Sequence, residues 1–126
     1  HAARGIVIDA TCDDDLYFRG ERQDLEEMVG NLVDNACKWA RGRVRVRAMR
    51  AASRLTLTVE DDGPGLSAEE RTQVGERGER LDESVPGSGL GLAIVRDISK
   101  LYGGFFALDA SPMGGVLARL ELPAIQ

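Results

Sequence analysis

The sequence has no long apolar run. Its hydrophobic stretches are only a few residues each, so no segment reads as a membrane span or as the core of a signal peptide. Cysteine is scarce: Cys12 and Cys37 form no CxxC pair, which fits a reduced, cytosolic compartment where neither needs a partner. There is no surplus of positive charge. Sixteen Lys and Arg against 21 Asp and Glu leave a net charge of −5, which excludes a general electrostatic binder of nucleic acid. Internal repeats and low-complexity linkers are absent too. The one histidine, His1, stands before Ala-Ala-Arg and is expected to take no part in chemistry. What remains is a 126-residue chain, 43% apolar and 29% charged, with fifteen glycines, well above the usual ~7%. This is neither a disordered nor a fibrous composition. It suits one domain, residues 1–126, that buries roughly two thirds of its unfolded surface.

The hydrophobic spacing predicts an α/β domain. Residues 5–10 and 16–19 read as short strands around the turn Asp13-Asp14-Asp15. A helix is expected over 22–40, with Leu25, Met28, Val29, Leu32, Val33 and Ala36 forming its apolar stripe. Strict alternation over 43–48 and 55–60 predicts an antiparallel hairpin joined through Ala51 to Arg54, the arginines of 41–50 forming a solvated strand face. Ser67 and Glu70 make a capping box for a short helix from Ala68. Residues 75–88 are a charged, glycine-bearing loop of lid-like length. A third helix is expected from Leu90 to Tyr102, its core stripe Leu90, Ile94, Ile98 and Leu101, stopped by Gly103-Gly104. Strands at 105–109 and 116–122 complete a mixed, largely antiparallel sheet of about five strands, with three helices on one face.

Three clusters carry candidate chemistry. Asn31, Asn35 and Lys38 fall within about 60° on one flank of the first helix. A carboxamide oxygen there can ligate a hard cation and the lysine can meet a phosphate; the same residues also suit a solvated helix surface. Asp61-Asp62-Gly63-Pro64-Gly65 follows a strand, where glycines admit a tight turn and close approach of a flat ligand, although Asp-Gly and Pro-Gly are also ordinary turn pairs. Gly87-Ser88-Gly89-Leu90-Gly91 runs into a helix start, which offers free N–H groups and the positive end of the helix dipole to an anion. Its GxGxG spacing differs from the GxGxxG of dinucleotide-binding folds.

In this order and spacing the clusters resemble the catalytic ATP-binding domain of bacterial sensor histidine kinases, within the wider class of gyrase, Hsp90 and mismatch-repair ATPases. The stretches NLVDNACKWA, VEDDGPGL and ERGERLDESVPGSGLGLA look most like the PhoQ-type sensor kinases. The resemblance runs from about Gly5 to the end. It implies the two-layer α/β sandwich of the Bergerat ATP-binding fold with a mobile ATP lid, and ATP and Mg2+ as ligands. It also implies Asn35 as main Mg2+ ligand with Asn31 assisting, Lys38 at the phosphates, and Asp61 accepting a hydrogen bond from the adenine amine. Gly63 and Gly65 would shape the adenine pocket. Gly87, Gly89 and Gly91 would hinge the lid and present N–H groups to the phosphates, Ser88 and Leu90 between them would also bind ATP, and Arg77 and Arg80 would be further phosphate contacts. Asn31 and Lys38 would be the catalytic pair.

The implied reaction is transfer of the γ-phosphoryl group to a histidine on a separate dimerisation domain, with a response-regulator receiver domain downstream. The implied setting is a monomeric cytoplasmic fragment of a membrane-bound kinase, touching neither membrane nor nucleic acid. The ATPase relatives place a glutamate, their general base, one turn before the Mg-binding asparagine. Here that position is Asn31, which cannot take a proton. A nucleotide-binding docking module is the other alternative. The family's lid aromatic is replaced by Gly75, and no phosphoacceptor histidine hairpin is present in this sequence.

Overall fold

A computed structural model describes residues 5–66 and 88–125. Five strands form one mixed sheet: β1 (Val7–Cys12), β2 (Arg43–Ala51), β3 (Arg54–Asp61), β4 (Phe105–Ala110) and β5 (Val116–Pro123), in the order β1-β2-β3-β5-β4. Two helices are described, α1 (Arg22–Trp39) and α2 (Ser88–Leu101). The sheet is largely antiparallel, as expected; only the β1–β2 pair is parallel. Two helices rather than three stand among the described residues, because the short helix expected from Ala68 falls within 67–87, outside them.

The β2–β3 hairpin closes through Ala52 and Ser53, with Ala52 at φ 56. The alternation in β2 sends Val44 into the core, fully buried, and Val46 beside it. Leu55, Leu57 and Val59 of β3 and Ala118, Leu120 and Leu122 of β5 continue that layer. Met28, Leu32 and Ala36 of α1 cover it, with Leu25, Val29 and Val33 packed at its margin, so the expected stripe of α1 is the buried one.

Two expectations need correction. Residues 16–19 do not form a strand. Only Phe18 bridges to Ala124, while Arg19 donates its N–H to Pro123 O and Tyr17 O accepts from Ile125. β1 pairs with β2, its parallel neighbour across the α1 connection. The buried face of α2 is also rotated from the expected one. Leu92, Val95 and Ser99 are buried and Ile98 and Tyr102 are packed at the margin, whereas Ile94 is 38% and Leu101 81% exposed. Apolar residues occur around most of this helix, so spacing alone leaves its phase open; packing against α1 sets it.

The two helices run antiparallel. The Tyr102 hydroxyl, at the end of α2, donates to Asp24 in the first turn of α1 and accepts from the Glu21 N–H at 3.1 Å. The Tyr102 ring meets Phe18 edge-on at 4.9 Å. This staple fixes where the start of α2 lies along α1, and so positions the site.

Candidate functional site

The turn after β3 sits between two other parts of the chain. Asp61, the last residue of β3, is 3% exposed. Its Oδ1 accepts the N–H of Gly63 at 2.9 Å and that of Val116 at 3.5 Å, and its backbone carbonyl accepts the Gly115 N–H at 3.2 Å. Burial pushes the Asp61 carboxyl above its ordinary range; the two N–H groups oppose this and the neighbouring Asp62 charge reinforces it. Asp62 does different work. Its Oδ1 accepts the N–H groups of Arg41 and Gly42 at 2.8 and 3.1 Å, tying the turn to the chain leaving α1, and these N–H groups hold its carboxyl below the usual range.

Gly63 packs on the last residue of α1: a Cβ there would overlap the Trp39 carbonyl, whose carbon would lie 2.9 Å away. Gly65 has φ +77, a conformation that favours glycine, and faces the carbonyls of Gly114 and Gly115 in the β4–β5 turn. The Asp61–Gly65 turn is therefore held between the end of α1 and the β4–β5 turn.

Asn31, Asn35 and Lys38 occupy successive turns toward that same end of α1. A Cβ on Gly91 would lie 3.3 Å from Asn31 Oδ1, so the carboxamide lies directly on the first turn of α2. Because the helices are antiparallel, and each residue rises ~1.5 Å, the start of α2 at Ser88 comes roughly level with Asn35. Asn35 Oδ1 is buried and has no hydrogen-bond partner among the described residues. Lys38 is exposed.

The fold thus brings Asn31, Asn35, Lys38, Asp61, Gly63, Gly65 and Gly91 to one end of the sandwich. Helix α2 is described from Ser88 onward, so the Ser88, Gly89 and Leu90 backbone is helical. Arg77, Arg80, Gly87, Gly75 and nearly all of the expected lid lie outside the described residues, as does His1. Sequence reasoning passed over Gly115, which presses on the Asp61 carboxylate, and Ser111 and Glu60 behind it. The only local signals were the Gly114-Gly115 pair and the three acids Glu60-Asp61-Asp62 in a row. Among the described residues no three His, Cys, Asp or Glu converge as a metal cage, and no helix is long and apolar enough to cross a membrane.

A family model described as histidine kinase-, DNA gyrase B-, and HSP90-like ATPase matches residues 20–126. The chain is 52% identical over 108 residues to the sensor protein kinase CarS of Pseudomonas aeruginosa, covering 86% of this chain and 24% of that protein. It is 38% identical over 119 residues to the sensor protein PhoQ of Escherichia coli K12, covering 94% and 24%. It therefore spans about a quarter of the length of these curated relatives. Among solved structures it superposes on the mycobacterial sensor histidine kinase MprB with TM-score 0.82 and 35% identity, over 95% of this chain and 83% of that one. It also superposes on full-length ShkA in complex with AMPPNP, with TM-score 0.85 and 27% identity, over 99% and 27%.

Proposed function

The chain belongs to the histidine kinase-, DNA gyrase B- and HSP90-like ATPase family, and on that premise we propose that it binds Mg-ATP at this end of the sandwich and presents the γ-phosphoryl group to a histidine on a separate dimerisation domain. The observation that carries the reading is the buried Asp61 carboxylate. All of its described side-chain hydrogen bonds fall on Oδ1, and it stands at the glycine turn beside the end of α1 that carries Asn35 and Lys38. A fixed carboxyl oxygen selects adenine by accepting from its exocyclic amine; guanine presents a carbonyl at the same position. Gly63 and Gly65 keep that wall free of side chains.

The donor set fits Mg2+. Asn35 Oδ1 is a buried acceptor without a partner among the described residues, and a hard cation takes amide oxygens readily. Asn35, assisted by Asn31, would hold the ion, and when bound it offsets charge on the phosphate oxygens. Lys38 meets the phosphates as a point charge, and the N–H groups at the start of α2, with Gly91 seated on Asn31, orient them. Phosphoryl transfer needs little more than positioning and charge stabilisation from this domain. Asn31 offers an amide and no base, which favours a nucleophile supplied by the dimerisation domain over activated water. The names of the sensor protein kinase CarS and the sensor histidine kinase MprB point the same way. A response-regulator receiver domain is then the downstream partner, and the domain works on the cytoplasmic side without touching membrane or nucleic acid.

Thermal unfolding tests the proposal. Mg-ATP at a hundredfold excess over its Kd adds about 2.7 kcal/mol, a rise of roughly 5–10 °C for a domain of this size. Mg-GTP, and ATP with a chelator, are expected to give much smaller rises. Equal shifts with ATP and GTP would remove the role given to Asp61.

A further inference from the structure

The outer face of the sheet, opposite the helices, carries a second buried acid. Glu60 precedes Asp61 in β3, so their side chains leave the strand on opposite faces. The Glu60 side chain is fully buried. Its Oε1 accepts from Arg45 at 3.1 Å and Arg47 at 3.0 Å, both on β2, and its Oε2 accepts the Ser111 hydroxyl at 2.7 Å. The arginine-rich stretch of β2 is thus more than a solvated face: two of its members converge on one carboxylate.

Ser111 opens the β4–β5 turn and organises it. Its N–H donates to Gly115 O at 2.9 Å, its carbonyl accepts from Gly114 at 2.9 Å, and its Oγ accepts from Met113 at 3.0 Å. The far end of the same turn supplies the Gly115 and Val116 N–H groups that hold Asp61, and its Gly114 and Gly115 carbonyls face Gly65. An unbroken path therefore leads from the two guanidinium groups, through Glu60 and Ser111, to the carboxylate on the other side of the sheet. Burial raises the Glu60 carboxyl, but the bonds from Ser111, Arg45 and Arg47 outweigh it and keep the group below its ordinary range, hence ionised at neutral pH.

We propose that Glu60 and Ser111 are positioning residues for base recognition: the Glu60–Ser111 hydrogen bond seats the Ser111–Gly115 turn against Asp61 and so sets the preference for a base with an exocyclic amine. This rests on the reading of Asp61 given above. The phosphate end, built from α1 and the start of α2, shares none of these bonds. The network therefore governs base selectivity and leaves triphosphate affinity alone.

The test compares dissociation constants for ATP, for inosine triphosphate, which has a carbonyl in place of the amine, and for tripolyphosphate, each with Mg2+. In Ser111→Ala the ATP-to-inosine preference is expected to fall by about fivefold or more, the scale of one lost buried hydrogen bond, with tripolyphosphate binding unchanged. Ser111→Thr, which keeps the hydroxyl, is expected to restore the preference. Arg47→Gln, at a partly exposed position that leaves the Arg45 bond to Glu60 in place, is expected to give a smaller fall in the same direction and serves if Ser111→Ala folds poorly. An unchanged preference in both Ser111→Ala and Arg47→Gln, while Asp61→Asn abolishes it, overturns this inference and leaves the Asp61 reading standing. Equal losses for ATP and tripolyphosphate overturn it too, because they mark general destabilisation. A parent protein that does not distinguish ATP from inosine triphosphate removes the Asp61 reading and this inference with it.

Discussion

Replacing Gly115 with alanine adds one methyl group at the most crowded point of the site. The added Cβ would lie 2.5 Å from the Asp61 carbonyl oxygen and 2.8 Å from the Gly63 nitrogen, and closer still to Asp61 Oδ1. Two of these neighbours are backbone, and the third is a carboxylate tied by the Gly63 N–H at 2.9 Å, so none can swing aside as a flexible side-chain end would. Reaching an ordinary contact of 3.4 Å means moving the β4–β5 turn and β3 apart by about 1 Å or more. Overpacking of this kind costs about 1–3 kcal/mol. Weakening the Gly115–Asp61 and Val116–Asp61 bonds adds ~0.5–1.5 kcal/mol each, so a total of about 2–6 kcal/mol is expected. That is a large share of a typical folding stability of ~5–15 kcal/mol. Two assays separate fold from site: urea unfolding, and calorimetric titration with Mg-ATP below the melting temperature. Gly30→Ala is the control, because a Cβ there meets nothing within 4 Å and the position lies inside α1. It is expected to stabilise by up to ~1 kcal/mol through helix propensity and to leave binding unchanged. A Gly115→Ala protein with parental stability and parental ATP affinity would refute the packing argument and the placement of Asp61 together.

Asn35→Ala is expected to keep the fold, since alanine is the best helix former, and to reduce Mg2+-dependent nucleotide binding steeply; titration at fixed ATP with varied Mg2+ measures it, and parental behaviour would remove Asn35 from the metal site. Acid unfolding reports on Glu60, whose carboxyl is depressed in the fold. Its stabilisation is present above the unfolded-state value near ~4.3 and fades as pH falls below it, so Glu60→Gln, about 2 kcal/mol less stable at pH 7, is expected to converge on the parent in urea melts toward pH 3. Parallel curves would mean that the charge of Glu60 contributes nothing. The chain alone is expected to bind ATP with only slow turnover, and to phosphorylate the histidine of a cognate dimerisation domain added as a separate polypeptide, weakly, because the tether's effective concentration is lost. Brisk hydrolysis by the chain alone, abolished by a mutation in the nucleotide site, would favour an ATPase instead.

The sequence by itself determined the elements whose signal is local. The α1 stripe of Met28, Leu32 and Ala36 and the alternation of β2 and β3 depend only on periods of 3.6 and 2 within one segment, and the chain folds accordingly. The clusters Asn31–Lys38, Asp61–Gly65 and Gly87–Gly91 stand out in the sequence for a similar reason: each is a short motif whose residue types suit a cation, a flat base or an anion before any contact is known. Tertiary structure alone decided what depends on partners distant in sequence. It paired β1 with β2 and left residues 16–19 with a single bridge from Phe18 to Ala124, and it turned Leu92, Val95 and Ser99 of α2 inward while leaving Leu101 in solvent. It also seated Gly115 directly against Asp61, and joined Arg45 and Arg47 of β2 and Ser111 of the β4–β5 turn on Glu60 of β3. A helix with apolar residues on several sides has no preferred face until another helix covers one. A buried acid likewise has no meaning in a sequence until the fold brings its donors, here from β2 fifteen and thirteen residues before it and from a turn 51 residues after it, within hydrogen-bond distance.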